Sequence, residues 1–453
     1  MNDQAIARFK VSMSQFITTI LLINALQYLI SPGLNTIAKY FGFVDPVTGA
    51  VLTSQLGILQ SMITIIGGAS VIIFGYLSDK IVRVRILLVG SMIYSVSAIL
   101  VSLVSNSMAG YVLYFILNAC AGFGYGMIIP TTFSLIGDLV LQKDRAKGFS
   151  FVSIATLLGT AVGFVMGATI IDIDWRLSYF ILGLIGLGNG FLTLTIKEPN
   201  RAGRDYVLSG NLEREYSYRI RLSDLKVILK KKTNIWLIIN FVDTVPTGII
   251  MFLLFKYLLD IHGIPETMSI LFLMLVFVST LVGTIVFGFI GDARFKKGNK
   301  SARVHLALIA NVVPIPFIFF AFVIPFQLPQ NGTITDLFMI PGAVAMILLI
   351  CIGLFINGAT NGCWYATVVD VNLPEHRATV LAAANFFDIV GRSIGPLIGS
   401  IVADAFGLEA GMLMSIYFWI AIPFFWIGIL QNFVHDMDQT KEVFEERMKN
   451  PEK

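Results

Sequence analysis

DLVLQKDRAKGF at residues 138–149 and DVNLPEHRATVL at residues 370–381 begin alike, and they stand 370 − 138 = 232 residues apart. The same offset carries Arg145 to Arg377, Gly159 to Gly391, Gly163 to Gly395, Gly167 to Gly399 and Asp172 to Asp404. A second pairing sets GYLSDK, from Gly75, against GFIGDA, from Gly288. Several coincidences at one spacing mark an internal duplication, so the fold must be one that can be written twice.

The sequence around the repeats narrows that fold. Of 453 residues, 56% are hydrophobic and 13% charged, about half the charged share of a soluble domain. Apolar runs occupy residues 12–34, 53–77, 86–107, 111–140, 149–171, 177–196, 234–260, 267–290, 304–325, 339–369, 379–403 and 410–432. Each comes close to the ~20 residues a helix needs to cross ~30 Å of hydrocarbon. The expectation is an all-α membrane protein with twelve transmembrane helices in two pseudo-symmetric six-helix bundles. The bundles fall at 1–197 and 233–433, with a cytoplasmic linker at 198–232 and a cytoplasmic tail at 434–453. In the linker, Leu212, Tyr216, Leu222, Leu225 and Leu229 recur at helical intervals among Arg and Lys, the pattern of helices lying on a membrane surface. The first run is too long for a secretory signal and lacks a small-residue exit, so it reads as the first membrane helix.

Charge placement sets the orientation. With the N-terminus in the cytoplasm, all but four of the 32 Lys and Arg fall inside. Lys39, Arg176 and Lys256 lie outside, and Arg392 lies within the membrane. An excess of Lys and Arg in cytoplasmic loops is the usual rule, so both termini are expected there, in a multi-pass plasma-membrane protein. The net charge of +4 is then topological, and no nucleic-acid partner is expected. Cys120, Cys351 and Cys363 have no second ligand at metal spacing, so neither a metal nor a cofactor is expected. No G-x-x-x-x-G-K-[ST] loop occurs to drive the protein with ATP, and no nucleophile–base set points to an enzyme. Asn331-Gly332-Thr333 fits a glycosylation acceptor in an outside loop.

GYLSDKIVRVR (75–85) resembles the loop between the second and third helices of the major facilitator superfamily, with Gly75, Asp79, Lys80, Arg83 and Arg85 matching. The glycine of that pattern is missing near Val82. GFIGDARFKK, with Gly288 and Asp292, is the weaker second copy, and DWRLSYF (174–180) is similar to the entry to the family's sixth helix. The resemblance implies that Asp79 latches against the start of helix 11, near Arg377–Leu381. The gating set is therefore Gly75, Asp79, Lys80 and Arg83, joined by Asp138, Arg145, Asp292, Asp370 and Arg377 at the duplicated loop ends. GFGYGMIIPTTFSLIGDLV (122–140) and KEPNRAG (197–203) resemble the Spinster-like lipid transporters. This chain departs from that branch at Tyr125, where the branch carries an acid, and at Gln27-Tyr28-Leu29-Ile30, where it carries an Asp-Arg pair.

The family also implies that helices 1, 4, 7 and 10 line a central path. Asn24, Gln27 and Tyr28 on helix 1, Asn118 and Tyr125 on helix 4, and Asn357, Asn361, Trp364 and Tyr365 on helix 10 form neutral, aromatic stripes at helical spacing. Such groups can bind a solute, and they can equally hydrogen-bond neighbouring helices. No Lys or Arg cluster faces the path, which argues against a multiply anionic substrate.

Charges inside the apolar runs are scarcer. Asp243 and Asp388 both lie about 14 Å from the cytoplasmic ends of their helices, and Arg392 about 20 Å, at 1.5 Å per residue. An intramembrane charge costs at least ~2.5–3.5 kcal/mol on insertion scales and needs a partner or a task. Asp388 and Arg392, four apart, can pair on one helix face. If Asp243 competes for the same Arg392, the cluster balances only when one acid holds a proton. Lys256, near the outer end of helix 7, is expected to snorkel. The expected function is secondary active transport of a small organic or lipid-like solute by rocking of the two halves, with protons as the coupling ion and the chain acting as a monomer. The alternative is a transporter-like receptor or scaffold that binds without translocating.

Overall fold

A computed structural model describes residues 3–78, 80–139, 145–198 and 228–449. Among the described residues no strand forms, and Val44 and Val51 make one isolated bridge. The chain divides into two compact units, Met1–Tyr216 and Ser217–Lys453. Ten described segments are long and apolar enough to cross a membrane. The apolar stretch Ile154–Thr169 is shorter than those ten.

Unit 1 contains α1 (Asp3–Gln27), α2 (Leu34–Tyr40), α3 (Ser54–Ser78), α4 (Arg83–Val101), α5 (Met108–Leu139), α6 (Arg145–Thr169) and α7 (Ile171–Leu192). The first apolar run is not one helix. Pro32, which has no N–H to give, and Gly33 interrupt it between α1 and α2. At one end of the unit Tyr114 is fully buried, its hydroxyl 2.9 Å from that of Tyr179 and its ring 5.5 Å from Trp175. Asp174 leaves helical geometry at φ −166°, ψ 118°, which lets its carboxylate accept from Arg176 Nε and Nη2 at 3.0 and 2.7 Å. Arg176 in turn donates to Tyr40 Oη at 3.0 Å.

Unit 2 contains α8 (Lys232–Ile239), α9 (Thr244–His262), α10 (Glu266–Lys296), α11 (Ala302–Val312), α12 (Pro314–Val323), α13 (Ile334–Met339), α14 (Pro341–Asn357), α15 (Ala359–Val371), α16 (Pro374–Phe406) and α17 (Leu408–Lys449). Three runs that read as straight spans are bent. A 3-10 turn over Asn240–Asp243 joins α8 to α9 just before Pro246, which cannot donate to the preceding turn. Pro314 marks the join of α11 and α12. Gly358 separates α14 from α15, and Thr284 Oγ1 donates to its carbonyl at 3.0 Å. The tail expected from 434 onward begins instead as the continuation of α17, with Phe433 and Met437 buried.

The glycine tracks explain one joint in each unit. A Cβ at Gly159 or Gly163 would lie 2.3 Å from Leu21 O or 2.2 Å from Ala25 O, and one at Gly167 would lie 3.0 Å from Leu29 O. In unit 2, a Cβ at Gly391 or Gly395 would lie 2.4 Å from Phe241 O or 2.6 Å from Val245 O. The tracks therefore let α6 lie on α1, and α16 on the α8–α9 helix, at backbone contact. They also fix a register that the loop motifs do not give. Ala25 corresponds to Val245, an offset of 245 − 25 = 220 for this part of the repeat.

Candidate functional site

Arg83 opens α4 and is 2% exposed. Its Nε donates to Glu198 Oε1 at 2.8 Å and its Nη1 to Ser134 Oγ at 3.0 Å. Glu198 Oε2 also accepts from the Val84 N–H at 3.0 Å, one of the N–H groups a helix start leaves open. Arg83 thus ties together the start of α4, the end of α5 and the segment after α7. The offset of 220 carries Arg83 to Arg303, since 303 − 83 = 220. Arg303 Nη2 donates to Asp292 at 2.7 Å and Nη1 to Asp370 at 2.8 Å, joining the ends of α10 and α15 to the start of α11. Two expected gating residues, Asp292 and Asp370, therefore share one cation. Sequence reasoning missed Arg303 and Glu198. The first needed the offset of 220, and the second lay inside the quoted KEPNRAG.

Other gating residues take simpler positions. Lys80 is exposed, sits 4.2 Å over the Tyr76 ring and hydrogen-bonds its hydroxyl. Gly75 has Pro130 as its nearest neighbour, at 3.9 Å from a built Cβ. Asp79 and the side chains of Asp138, Arg145, Arg377 and Asn361 lie outside the described residues, as does the linker from 199 to 227.

A second clasp closes the same end of unit 2. Asn234 and Asn372, both buried, exchange side-chain amide bonds at 2.8 Å. Lys231 Nζ donates to Val371 O and Thr440 Oγ1, each at 2.6 Å, and the Thr233 N–H donates to Asp436 Oδ2 at 3.0 Å. The continuation of α17 is thus bound to the start of α8 and the end of α15.

The ionisable cluster lies well inside the apolar segments Lys232–His262 and Ala383–Phe406. Asp243 ends the 3-10 turn, and its Oδ2 accepts from Asn240 Nδ2 at 2.9 Å. Thr244 Oγ1 donates to the Asp388 carbonyl at 2.8 Å, which fixes α16 against α9 beside Gly391. Asp243 directly precedes Thr244 at this joint, and a Cβ at Gly248 on α9 would lie 2.4 Å from the Arg392 carbonyl, so the backbone at all three residues meets along one seam. The expected ion pair between Asp388 and Arg392 is not closed. Among the described residues no salt bridge joins Arg392 to either carboxylate, and its side chain is exposed. Tyr365, an expected solute contact on α15, is half exposed.

The neutral stripes divide in two. Asn24 and Asn118 are buried and donate to carbonyls one turn back, Ile20 O at 2.7 Å and Tyr114 O at 2.8 Å. Asn357, of intermediate exposure, donates from Nδ2 across to Ala310 O at 3.1 Å and so binds α14 to α11. Trp364 is buried, its ring edge-on to Tyr365 at 4.9 Å. Gln27, Tyr28 and Tyr125 stay partly accessible, with Tyr28 5.3 Å from Phe164. Lys256 does not snorkel: its side chain is 7% exposed and pairs with Asp260 one turn on.

The chain matches the family model described as Major Facilitator Superfamily over residues 16–396. It is 30% identical over 216 residues to protein spinster homolog 3 of Danio rerio, covering 46% of this chain and 40% of that protein. It is 26% identical to the sphingosine-1-phosphate transporter SPNS2 of Danio rerio, covering 46% of this chain and 43% of that one. The matched stretches therefore span less than half the length of these relatives. The fold is similar to the crystal structure of a bacterial homologue of the human lysosomal transporter Spinster, inward-facing and unoccupied. That likeness has a TM-score of 0.74 at 15% identity and covers 96% of this chain and 99% of the other.

Proposed function

The chain belongs to the Major Facilitator Superfamily, and from that premise we propose that it is a secondary active transporter. In this reading twelve spans form two six-helix halves that rock about a central solute site. Both termini lie in the cytoplasm and the protein resides in the plasma membrane. The solute is a small organic or lipid-like amphiphile, in keeping with the similarity to a sphingosine-1-phosphate transporter. Arg392 offers it one cationic contact, which suits a solute with a single compact anionic group. Gln27, Tyr28, Tyr125 and Tyr365 supply neutral and aromatic contacts along its apolar part.

The observation that supports the coupling is the placement of two carboxylates and one guanidinium at the α9–α16 joint inside apolar helix segments, where Thr244 Oγ1 bonds the Asp388 carbonyl and the Arg392 carbonyl lies against Gly248. With both acids ionised the cluster holds one uncompensated negative charge, and a single proton removes it. Because neither acid is locked onto Arg392, a proton or an anionic headgroup can shift the balance without first breaking a salt bridge. Asp79, Arg83 and Arg303 belong to the loop ends that open and close around this step.

The test uses proteoliposomes and sphingosine-1-phosphate or a lysolipid as the solute. Asp243→Asn is expected to lower pH-gradient-driven accumulation more than tenfold while solute exchange persists. Intact proton-driven accumulation in that variant defeats the coupling role. Binding without any flux in the wild type favours a receptor instead.

A further inference from the structure

The end of unit 2 remote from Lys231 holds a pocket of about 510 Å³, apart from the ionisable cluster. Its walls come from the end of α9, the end of α12 with the strand of chain that follows it, and the start of α17. Gly263 ends α9 at φ +70°, a left-handed turn that side chains resist, and this brings the chain back under residues 324–328. The Leu328 N–H then donates to His262 O at 2.8 Å.

The pocket is built without help from a ligand. Tyr257 Oη donates to Phe322 O at 2.7 Å. His262 has Nδ1 3.0 Å from Phe326 O and Nε2 3.2 Å from Tyr257 Oη, and its ring stacks on Phe326 at 4.1 Å. These bonds pack Tyr257, Phe322 and His262 into a buried base and leave the half-buried Phe326 ring toward the opening. The volume lies within the range of about 300–1,000 Å³ that encloses small organic ligands.

Its charge is one-sided. Glu409 in the first turn of α17 lines the pocket, and no Lys or Arg does. The carboxylate is exposed, and its charge reaches both Tyr257 and His262. A half-buried aromatic ring, Phe326, and an apolar wall beside a lone carboxylate are the chemistry that recognises an organic ammonium, chiefly by charge pairing with a cation–π contribution.

We propose that this pocket is a second binding site, separate from the transport path, for an ammonium group carried on an apolar body. Gln327 at the rim is free to meet a polar substituent of such a ligand. The ammonium can belong to a soluble amphiphile or to an ethanolamine lipid of the surrounding leaflet.

The probes are 4-phenylbutylammonium, 4-phenylbutanol and 4-phenylbutyrate, which share one body and differ in charge. Binding is measured on the full chain in uncharged maltoside micelles. The ammonium is expected to bind at least tenfold more tightly than the alcohol, and the carboxylate most weakly. Glu409→Gln should remove that preference, and Gln327→Trp, which fills the space, should abolish binding while sphingosine-1-phosphate exchange persists. Displacement of the bound ammonium by added phosphatidylethanolamine identifies a lipid site, and its persistence identifies a site for free amphiphiles. Equal binding of the three probes, or an unchanged preference in Glu409→Gln, overturns the proposal. So does wild-type binding in a folded Gln327→Trp variant.

Discussion

The seam of α6 on α1 and the seam of α16 on α9 are the same joint made twice, with opposite electrostatics beside it. In both, a glycine every fourth residue lets one helix rest on the carbonyls of another. In unit 1 the positions flanking the joint are Ile23, Thr156 and Thr160, and the two threonines satisfy themselves on carbonyls one turn back, each at 3.0 Å. In unit 2 the corresponding positions are Asp243, Asp388 and Arg392, by the offsets of 220 and 232. A duplicated fold does not need these charges, since its neutral copy packs equally closely. They are an addition to the joint rather than part of it, and that is the physical reason to look for their use.

The comparison breaks most visibly if the two joints respond differently to bulk. Gly163→Val and Gly395→Val each force a side chain into a backbone carbonyl 2.2 or 2.6 Å from the new Cβ. Each is expected to cost about 3 kcal/mol or more, read as a large fall in melting temperature or loss of monodisperse protein. A tolerated Gly163→Val would mean that the unit 1 joint is loose and the likeness superficial. Next in size is Thr160→Arg, which writes the charge of Arg392 into the neutral copy at a buried site. It should cost about 2.5–3.5 kcal/mol in thermal denaturation, because Ile23 and Thr156, the counterparts of the two carboxylates, are neutral.

A smaller effect sharpens the functional contrast. Ile23→Asn, at the counterpart of Asp243, should leave the pH dependence of transport within about twofold of wild type, where Asp243→Asn removes it; twofold corresponds to about 0.4 kcal/mol. A loss of pH dependence in Ile23→Asn would show that the neutral copy shares the coupling. The smallest difference concerns the last glycine of each track. A Cβ at Gly399 meets the movable side chains of Ile249 and Leu253, the nearest at 3.0 Å, whereas one at Gly167 meets Leu29 O and the ring of Pro32, both at 3.0 Å. Gly167→Ala should therefore lower the melting temperature by a few degrees more than Gly399→Ala, and the reverse order would contradict the packing described.

The duplication was legible because its markers, the loop acids and the glycines, must be particular residue types to do their work. The helix breaks were less legible, since an apolar run looks continuous whether or not its backbone is. Pro246, Pro314 and Gly358 were the available signals, and hydrophobicity outweighed them. Arg303 was hidden by a shift of register between loops. The offset is 213 at Asp79 and Asp292 and 220 at Arg83 and Arg303, so the second copy of the loop is seven residues longer. Lys256 was misread because helical spacing gives a face, but only packing says whether that face meets another part of the protein. The unclosed pair of Asp388 and Arg392 shows the same limit, because spacing of four permits contact without requiring it.

The helix that begins at Leu408 continues without interruption to Lys449, and Thr440 and Asp436 bind it to the start of α8 and the end of α15. That makes it a natural handle for observing motion. A spectroscopic label set rigidly on the exposed face near Glu442 would turn with unit 2 as one body, so its orientation would report that unit's tilt during a transport cycle. A label on a flexible tail would average that signal away.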